Sequence, residues 1–272
     1  MTTSTLEGRS AVVTGASSGI GRAIAIALGG AGVRVTLGGR TESAMEDVKK
    51  KIEAGGGSAQ LVVLDVREPA QVRGLVDTAV EYSGGLDIMV NNAGLSYPGG
   101  ILDGDPEQWR EMLETNILAL LVGCQAAAQA MRASGGNGHI VNISSTAAQR
   151  RDSGVYGSTK HAVNAISASL RAELEEDDIR VVNVMPGVIG TNFARNFDPA
   201  FVKAIVQMAG MDIEVEAGQK LPDEVFERLG SLDKMIGRPE DVASAVIYAV
   251  SQPPNVNIAD IVVRPAKQMP LP

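Results

Sequence analysis

Short apolar runs alternate with longer stretches of helical character along most of the chain, and small residues close each run. Ser10-Ala11-Val12-Val13-Thr14 is the first run, and Gly15 ends it. A run of that length with turn residues behind it suits a strand covered on both faces. Similar runs follow at 32–37, 59–64, 86–90, 139–143, 179–184 and 256–263. Helix-forming stretches lie between them at 22–28, 42–54, 71–82 and 155–175, and a last one opens at Arg238-Pro239-Glu240-Asp241. Asp105-Pro106 starts a further helix, with Asp as N-cap and Pro in the first turn. The apolar stretch behind it reads as one helix to Met131. Strands that alternate with helices predict an α/β fold on a doubly wound parallel sheet, with residues 1–272 as one domain.

The alternation stops at about 191–235. All four phenylalanines fall there (Phe193, Phe197, Phe201 and Phe226), joined by Met208, Met211 and Met235. A long apolar excursion beside a cleft predicts a substrate lid and an apolar site. The same aromatics would also serve simply to dock the excursion on the sheet.

Composition narrows the partners. Of 272 residues 44% are hydrophobic but only 3% aromatic, so the core is built from aliphatic side chains. The net charge of −8 disfavours a general nucleic-acid partner. The one cysteine, Cys124, excludes an intrachain disulfide and a multi-cysteine metal site, and its apolar surroundings predict a buried thiol. No apolar run reaches the roughly 18 residues that span a bilayer, and the N-terminus lacks a secretory pattern, so a cytoplasmic protein without a membrane partner is expected.

The chemistry begins at Thr14-Gly15-Ala16-Ser17-Ser18-Gly19-Ile20-Gly21. A glycine turn between strand and helix lets backbone N–H groups meet a pyrophosphate, although G-x-x-x-G-x-G is not the usual dinucleotide spacing. The second strand ends in Gly38-Gly39-Arg40 with no acid. An acid there would accept from the ribose 2′-hydroxyl of NAD, whereas Gly39 leaves room and Arg40 offers a forked cation to a phosphate, which favours NADP(H) over NAD(H). Asp65-Val66 ends the third strand, where Asp65 either accepts from an adenine amino group or caps the next helix. Asn91-Asn92-Ala93-Gly94 follows the fourth strand and suits a site beside the cofactor ribose. Asn116 is a lone amide in an apolar stretch, either satisfied in the core or holding a water or lysine. The fifth strand ends in Ser144-Ser145, and Tyr156 and Lys160 are four residues apart on one helix face.

Seven of these motifs in this order resemble the short-chain dehydrogenase/reductase (SDR) family over nearly the full length: Thr14 to Gly21, Asp65-Val66, Asn91 to Gly94, Asn116, Ile143-Ser144-Ser145, Tyr156 to Lys160, and Pro186-Gly187 with Thr191. The resemblance implies a Rossmann-type sheet ordered 3-2-1-4-5-6-7, a homotetramer or homodimer, and an enzyme interconverting a small-molecule carbonyl and alcohol. By that resemblance Tyr156 is the general acid/base, Lys160 lowers its pKa, Ser145 holds the carbonyl oxygen and Asn116 continues the proton path to Lys160. Gly15, Ser17, Ser18, Gly19, Ile20 and Gly21 lie around the phosphates. Gly39, Arg40, Asp65 and Val66 lie at the adenosine end; Asn92, Ala93 and Gly94 near the ribose; Pro186, Gly187, Val188 and Thr191 at the nicotinamide. No metal is expected.

The chain also departs from the family. Ser145 and Tyr156 are about two residues closer than usual, which leaves Ser144 as a possible partner in the role. The C-terminal Asp260 to Pro265 is similar to the 3-hydroxy-acid dehydrogenase branch. A catalytically silent cofactor-sensing protein and an NAD-dependent alcohol dehydrogenase are the alternatives; a sugar epimerase of the extended type stands further behind.

Overall fold

The computed structural model describes residues 6–208, 210–229 and 235–267. Its strands are β1 Ser10–Thr14, β2 Arg34–Gly39, β3 Ser58–Val63, β4 Ile88–Asn91, β5 Asn137–Ile143, β6 Asp178–Pro186 and β7 Asp260–Val263. They form one parallel sheet in the order β3-β2-β1-β4-β5-β6-β7. The order reverses between β1 and β4. In open α/β sheets a ligand crevice forms outside the strand carboxyl ends at such a point. β2 runs on to Gly39, beyond the apolar run, because Gly38 and Gly39 still pair with Val62 and Val63. β7 is only Asp260–Val263; the residues before it turn, with Val256 N bonded to Pro253 O.

The helices are α1 Gly19–Gly30, α2 Glu42–Ala54, α3 Pro69–Ser83, α4 Pro106–Leu113, α5 Ala119–Ala133, α6 Gly154–Glu173, α7 Pro199–Met208, α8 Asp223–Leu229 and α9 Pro239–Val250. On one face of the sheet α1, α2 and α9 bury Ile24, Leu28, Ile52 and Val246 against β1 and β2. On the other, α3, α5 and α6 bury Leu75, Val76, Met131 and Val163. Cover on both faces explains why β1 is buried at every position. Each fully buried Leu or Ile contributes roughly 1.5–3 kcal/mol relative to exposure.

The stretch 106–131 is not one helix. A π turn, Glu114–Leu118, separates α4 from α5. It carries Asn116, whose amide bonds both backbone groups of Leu95: Leu95 N to Oδ1 and Nδ2 to Leu95 O, each at 2.9 Å. Such a bulge is a frequent mark of a functional site.

After a 3-10 turn (Asn192–Asn196), α7 and α8 gather a small core with Ile236, in which Val206, Val225, Leu229 and Ile236 are buried and Met211 and Phe226 pack against them. Ala209 and residues 230–234 of that stretch lie outside the described residues. Among the described residues no helix is long and apolar enough to cross a membrane, and no His/Cys/Asp/Glu group is placed to hold a metal.

Candidate active site

The glycine turn leads straight from β1 into α1. Gly15 has φ +64°, a conformation that a side chain resists, and a Cβ there would sit 2.9 Å from Asn92 Nδ2. A Cβ on Gly21 would run into the same amide and into Gly15 O. Asn92 is therefore a strut: its Nδ2 donates to Thr14 O at 2.9 Å and to Gly15 O at 3.3 Å, while Thr14 Oγ1 accepts from Asn92 N and Ala93 N. Its side chain holds the turn on which the expected cofactor site is built. Ser18, the N-cap of α1, makes no side-chain cap bond. The first N–H groups of α1 thus have no side-chain acceptor from Ser18, and a backbone cradle that side chains would fill fits a dinucleotide's phosphates.

At the reacting end, Ser145, Tyr156, Lys160 and Asn116 converge. Lys160 is buried, and its Nζ donates to Ile143 O at 2.8 Å and stands 5.9 Å from the Tyr156 ring centroid. Ser145 stands close enough to Tyr156 to pull its pKa down, and its Oγ also reaches Pro186 O at 3.5 Å. Gly94 lies against Asn116 Oδ1 and Lys160 Nζ. Asn116 Nδ2 also donates to Thr159 Oγ1 at 3.0 Å, so the amide ties the loop after β4 to α6.

The titration of this pair differs from the expectation. Burial pushes Tyr156 up to about 12, with the Ser145 hydrogen bond pulling the other way. Burial also brings Lys160 down to about 8. Both groups move toward their neutral forms, as desolvation requires, and the expected depression of Tyr156 by Lys160 is not what sets its value here.

The shortened loop leaves the roles of the two serines separate. Ser144 Oγ is buried and donates to Asn164 Oδ1 at 2.6 Å and to Lys160 O at 3.2 Å, which turns it away from the cleft. Ser145 Oγ accepts from Ala147 N at 3.1 Å at the start of a 3-10 turn, Thr146–Gln149. Ser153 Oγ closes the loop onto Ala147 O, and Gly154 (φ +59°) turns it into α6. Arg150 is paired with Asp152, and His161 meets Arg150 O.

At the adenosine end Arg40 is exposed behind Gly39. Asp65 neither caps α3, whose N-cap is Glu68, nor stands free. Its carboxylate takes Arg67 Nη2 at 2.7 Å and Nε at 3.0 Å, and Arg67 holds its pKa below the usual carboxylate value despite the opposing effect of burial. Arg67 Nη1 reaches Glu111 at 3.4 Å, and Tyr97 donates to Glu111 at 2.6 Å. Of the residues expected at the nicotinamide, Val188 is exposed, Gly187 N is bonded to Val263 O, and Thr191 lies against Gly19.

Two features were not anticipated. Phe193 tilts over Tyr156 with ring centroids 5.5 Å apart. Below the site, Asn91, Asn142, Asn183 and Asp260 stand in register across β4 to β7. Asn91 donates to Asn142 Oδ1 at 2.9 Å, and Asn183 Nδ2 donates to Asn164 at 3.0 Å and Asp260 at 2.9 Å. The signal for this row was in the sequence: three strands carry Val-Asn near their ends, at Val90-Asn91, Val141-Asn142 and Val182-Asn183. A groove of about 600 Å³ between α5 and α6, lined by Leu121, Gln125, Ala128, Ile166 and Leu170, is separate from the reacting end.

Known proteins match this arrangement over almost the whole chain. The short chain dehydrogenase family profile matches residues 9–200. Dehydrogenase/reductase SDR family member 11 of Bos taurus is 35% identical over 270 residues, covering 96% of this chain and 97% of the bovine protein. A short chain dehydrogenase from Burkholderia cenocepacia, solved in complex with NADP, superposes with a TM-score of 0.77 at 31% identity, over 96% of this chain and 98% of that one. An alcohol dehydrogenase from Thermococcus sibiricus, complexed with 5-hydroxy-NADP, gives a TM-score of 0.78 at 26% identity over 96% and 98%. With the sheet order, the glycine cradle and the Ser/Tyr/Lys cluster in place, the chain belongs to the short-chain dehydrogenase/reductase family and is an NAD(P)-linked oxidoreductase acting on CH–OH groups.

Proposed function

We propose that this chain is an NADP(H)-dependent oxidoreductase that interconverts a ketone or aldehyde with its alcohol. The observation that carries the reading is the convergence of Ser145, Tyr156 and buried Lys160 beside an uncapped helix N-terminus. Gly15 to Gly21 would hold the phosphates, Gly39 and Arg40 the 2′-phosphate, Asp65 and Val66 the adenine, and Ala93, Gly94, Pro186, Gly187, Val188 and Thr191 the rest. The bound dinucleotide supplies or accepts the hydride. Ser145 orients the carbonyl oxygen, and Tyr156 gives its proton to that oxygen as the C=O becomes CH–OH. With its pKa pushed up to about 12, Tyr156 keeps that proton at neutral pH, which suits the reducing direction. Lys160, brought down to about 8, is still mostly charged at pH 7 and stabilises the phenolate left behind. Asn116 fixes the loop beside Lys160 and carries the proton path outward.

Residues 191–235 act as the substrate lid of a single domain. Phe193 on Tyr156 makes the wall of the reacting end apolar, so the substrate is an apolar carbonyl compound. Apolar Leu118 and Leu121 are exposed beside the α5–α6 groove, which supports a homodimer or homotetramer, and the protein acts in the cytoplasm. The test is titration of the purified protein with NADPH and NADH by nicotinamide fluorescence, followed by a ketone and aldehyde screen with the tighter cofactor. NADPH binding with turnover supports the reading; binding of neither cofactor, or binding without turnover of any carbonyl, removes it.

A further inference from the structure

The turn Asn192–Asn196 is anchored on both walls of the crevice. At its start Thr191 lies against Gly19 of the glycine turn, and at its end Asn196 Nδ2 donates to Ser96 O at 3.2 Å. Arg195 is set between these anchors. Its carbonyl accepts from Gly218 N at 2.7 Å and its Nη1 donates to Asn192 O at 3.0 Å, which fixes the backbone and one edge of the guanidinium. The side chain is half-buried, and among the described residues no carboxylate pairs with it. Arg40 acts on it as a like charge, and both arms flank the glycine turn, where Gly39 stands by Ser17 and Thr191 by Gly19. Burial and the Arg40 charge hold its pKa below the usual guanidinium value.

By itself this is a costly arrangement. A partly desolvated cation beside another cation loses water and gains no counterion. The acids beside Arg40 and Tyr97 are already engaged: Asp65 is taken by Arg67, and Glu111 by Arg67 and Tyr97. Such a pair is satisfied by a multiply charged anion placed between the two forks, and guanidinium geometry matches phosphate.

We infer that Arg195 and Arg40 form a phosphate clamp, one arm on the tip of β2 and the other on the 191–196 turn, which closes on a phosphate group of the dinucleotide. The inference rests on the cofactor reading above and adds a residue outside its motifs. It makes the cofactor's phosphate the group that holds the turn over the crevice, so that cofactor binding and closure are linked.

Binding measurements test it without turnover. Affinities for NADPH and NADH are read by nicotinamide fluorescence, and those for 2′,5′-ADP and ADP by calorimetry, in wild type, R195A, R195K and R40A, with melting temperature as the check on folding. R195A should weaken NADPH and 2′,5′-ADP by about ten- to a hundredfold and NADH and ADP by less than about threefold, with R195K recovering part of the loss. The R40A/R195A double variant should lose less than the product of the two single losses, because the residues share one anion. An equal loss for ADP and NADH keeps the clamp and assigns it to the diphosphate instead of the 2′-phosphate. R195A affinities within about twofold of wild type for all four ligands, in a wild type that binds NADPH, overturn the clamp and leave the cofactor reading standing. A wild type that binds neither dinucleotide overturns both.

Discussion

At the reacting end of the crevice, Lys160 is 4% exposed and Tyr156 is packed under Phe193, and burial moves both toward their neutral forms. At the adenosine end, Asp65 and Arg67 have side chains 27% and 33% exposed, and each holds the other in its charged form. One sheet edge thus carries two electrostatic regimes. Proton affinities set by burial respond to what fills the site and little to salt. Those set by a partner respond to that partner and to salt. The division suits the proposed chemistry: the lysine behind the moving proton is kept dry, and the charges that only recognise a ligand stay wet and paired.

The largest effect belongs to the dry end. Tyr156→Phe keeps the ring against Phe193 and removes the acid, so kcat should fall by about a thousandfold or more while NADPH affinity stays within about threefold. Substantial remaining turnover would sink the role of Tyr156. The next effect belongs to the wet end. A side chain at Gly39 would point toward Ser17 Oγ (3.9 Å from the new Cβ) and Met45 Sδ (3.1 Å), the second a flexible neighbour able to shift. Gly39→Asp should therefore fold, and its carboxylate beside a 2′-phosphate should lower the NADPH/NADH affinity ratio by about a hundredfold. An unchanged ratio would remove the argument from the β2 tip.

How much of this was legible in the sequence depended on the range of the interactions involved. The strand centres read clearly because cover on both faces demands continuous apolar runs such as Ala11-Val12-Val13. The strand ends did not, since Gly38 and Gly39 stay in β2 only by pairing with β3. The π turn at Asn116 was hidden because its cause is Leu95, 21 residues away. The choice between Ser144 and Ser145 was open to a parity argument. Alternation places Ser144 on the face of Asn142, and both bond α6, through Asn164 and Ser167. The Asp65–Arg67–Glu111–Tyr97 chain joins the end of β3, α4 and the loop after β4, and no local pattern announces it.

A third group tests whether burial alone produces the first regime. His139 is fully buried in β5, far from the motifs, with neither ring nitrogen bonded. Burial, followed by the charges of Arg180 and Arg9, lowers its pKa to about 3. The unfolded chain, with histidine near 6.5, then binds more protons than the native state between those values, so stability falls as pH drops below about 6.5. The loss attributable to this group reaches about 2 kcal/mol at pH 5. His139→Leu should show a flatter acid limb in urea unfolding at pH 7.5, 6 and 5. An identical slope in variant and wild type would mean that the imidazole finds a partner or water on protonation. Asp65 does not confuse this window, because its carboxylate is depressed from 3.8 and its contribution is lost only below that value.

The smallest expected effect is the most demanding of the comparison. Asp65 and Arg67 make several short contacts, yet both side chains are about a third exposed and the partners are two residues apart in one turn. Such a pair gains Coulomb energy at high dielectric and gives most of it back in side-chain entropy. A double-mutant cycle with D65N and R67M should therefore return a coupling below about 1 kcal/mol, smaller still in 0.5 M NaCl. The contact of Arg67 with Glu111, which also accepts from Tyr97, does not enter this coupling unless it moves, since the cycle cancels whatever each single change does alone. A coupling of several kcal/mol that salt leaves untouched would show the adenosine end to be effectively dry. Asp65 would then be locked to Arg67 and unavailable to an adenine, and the contrast between the two ends would fail at the point where its contacts look strongest.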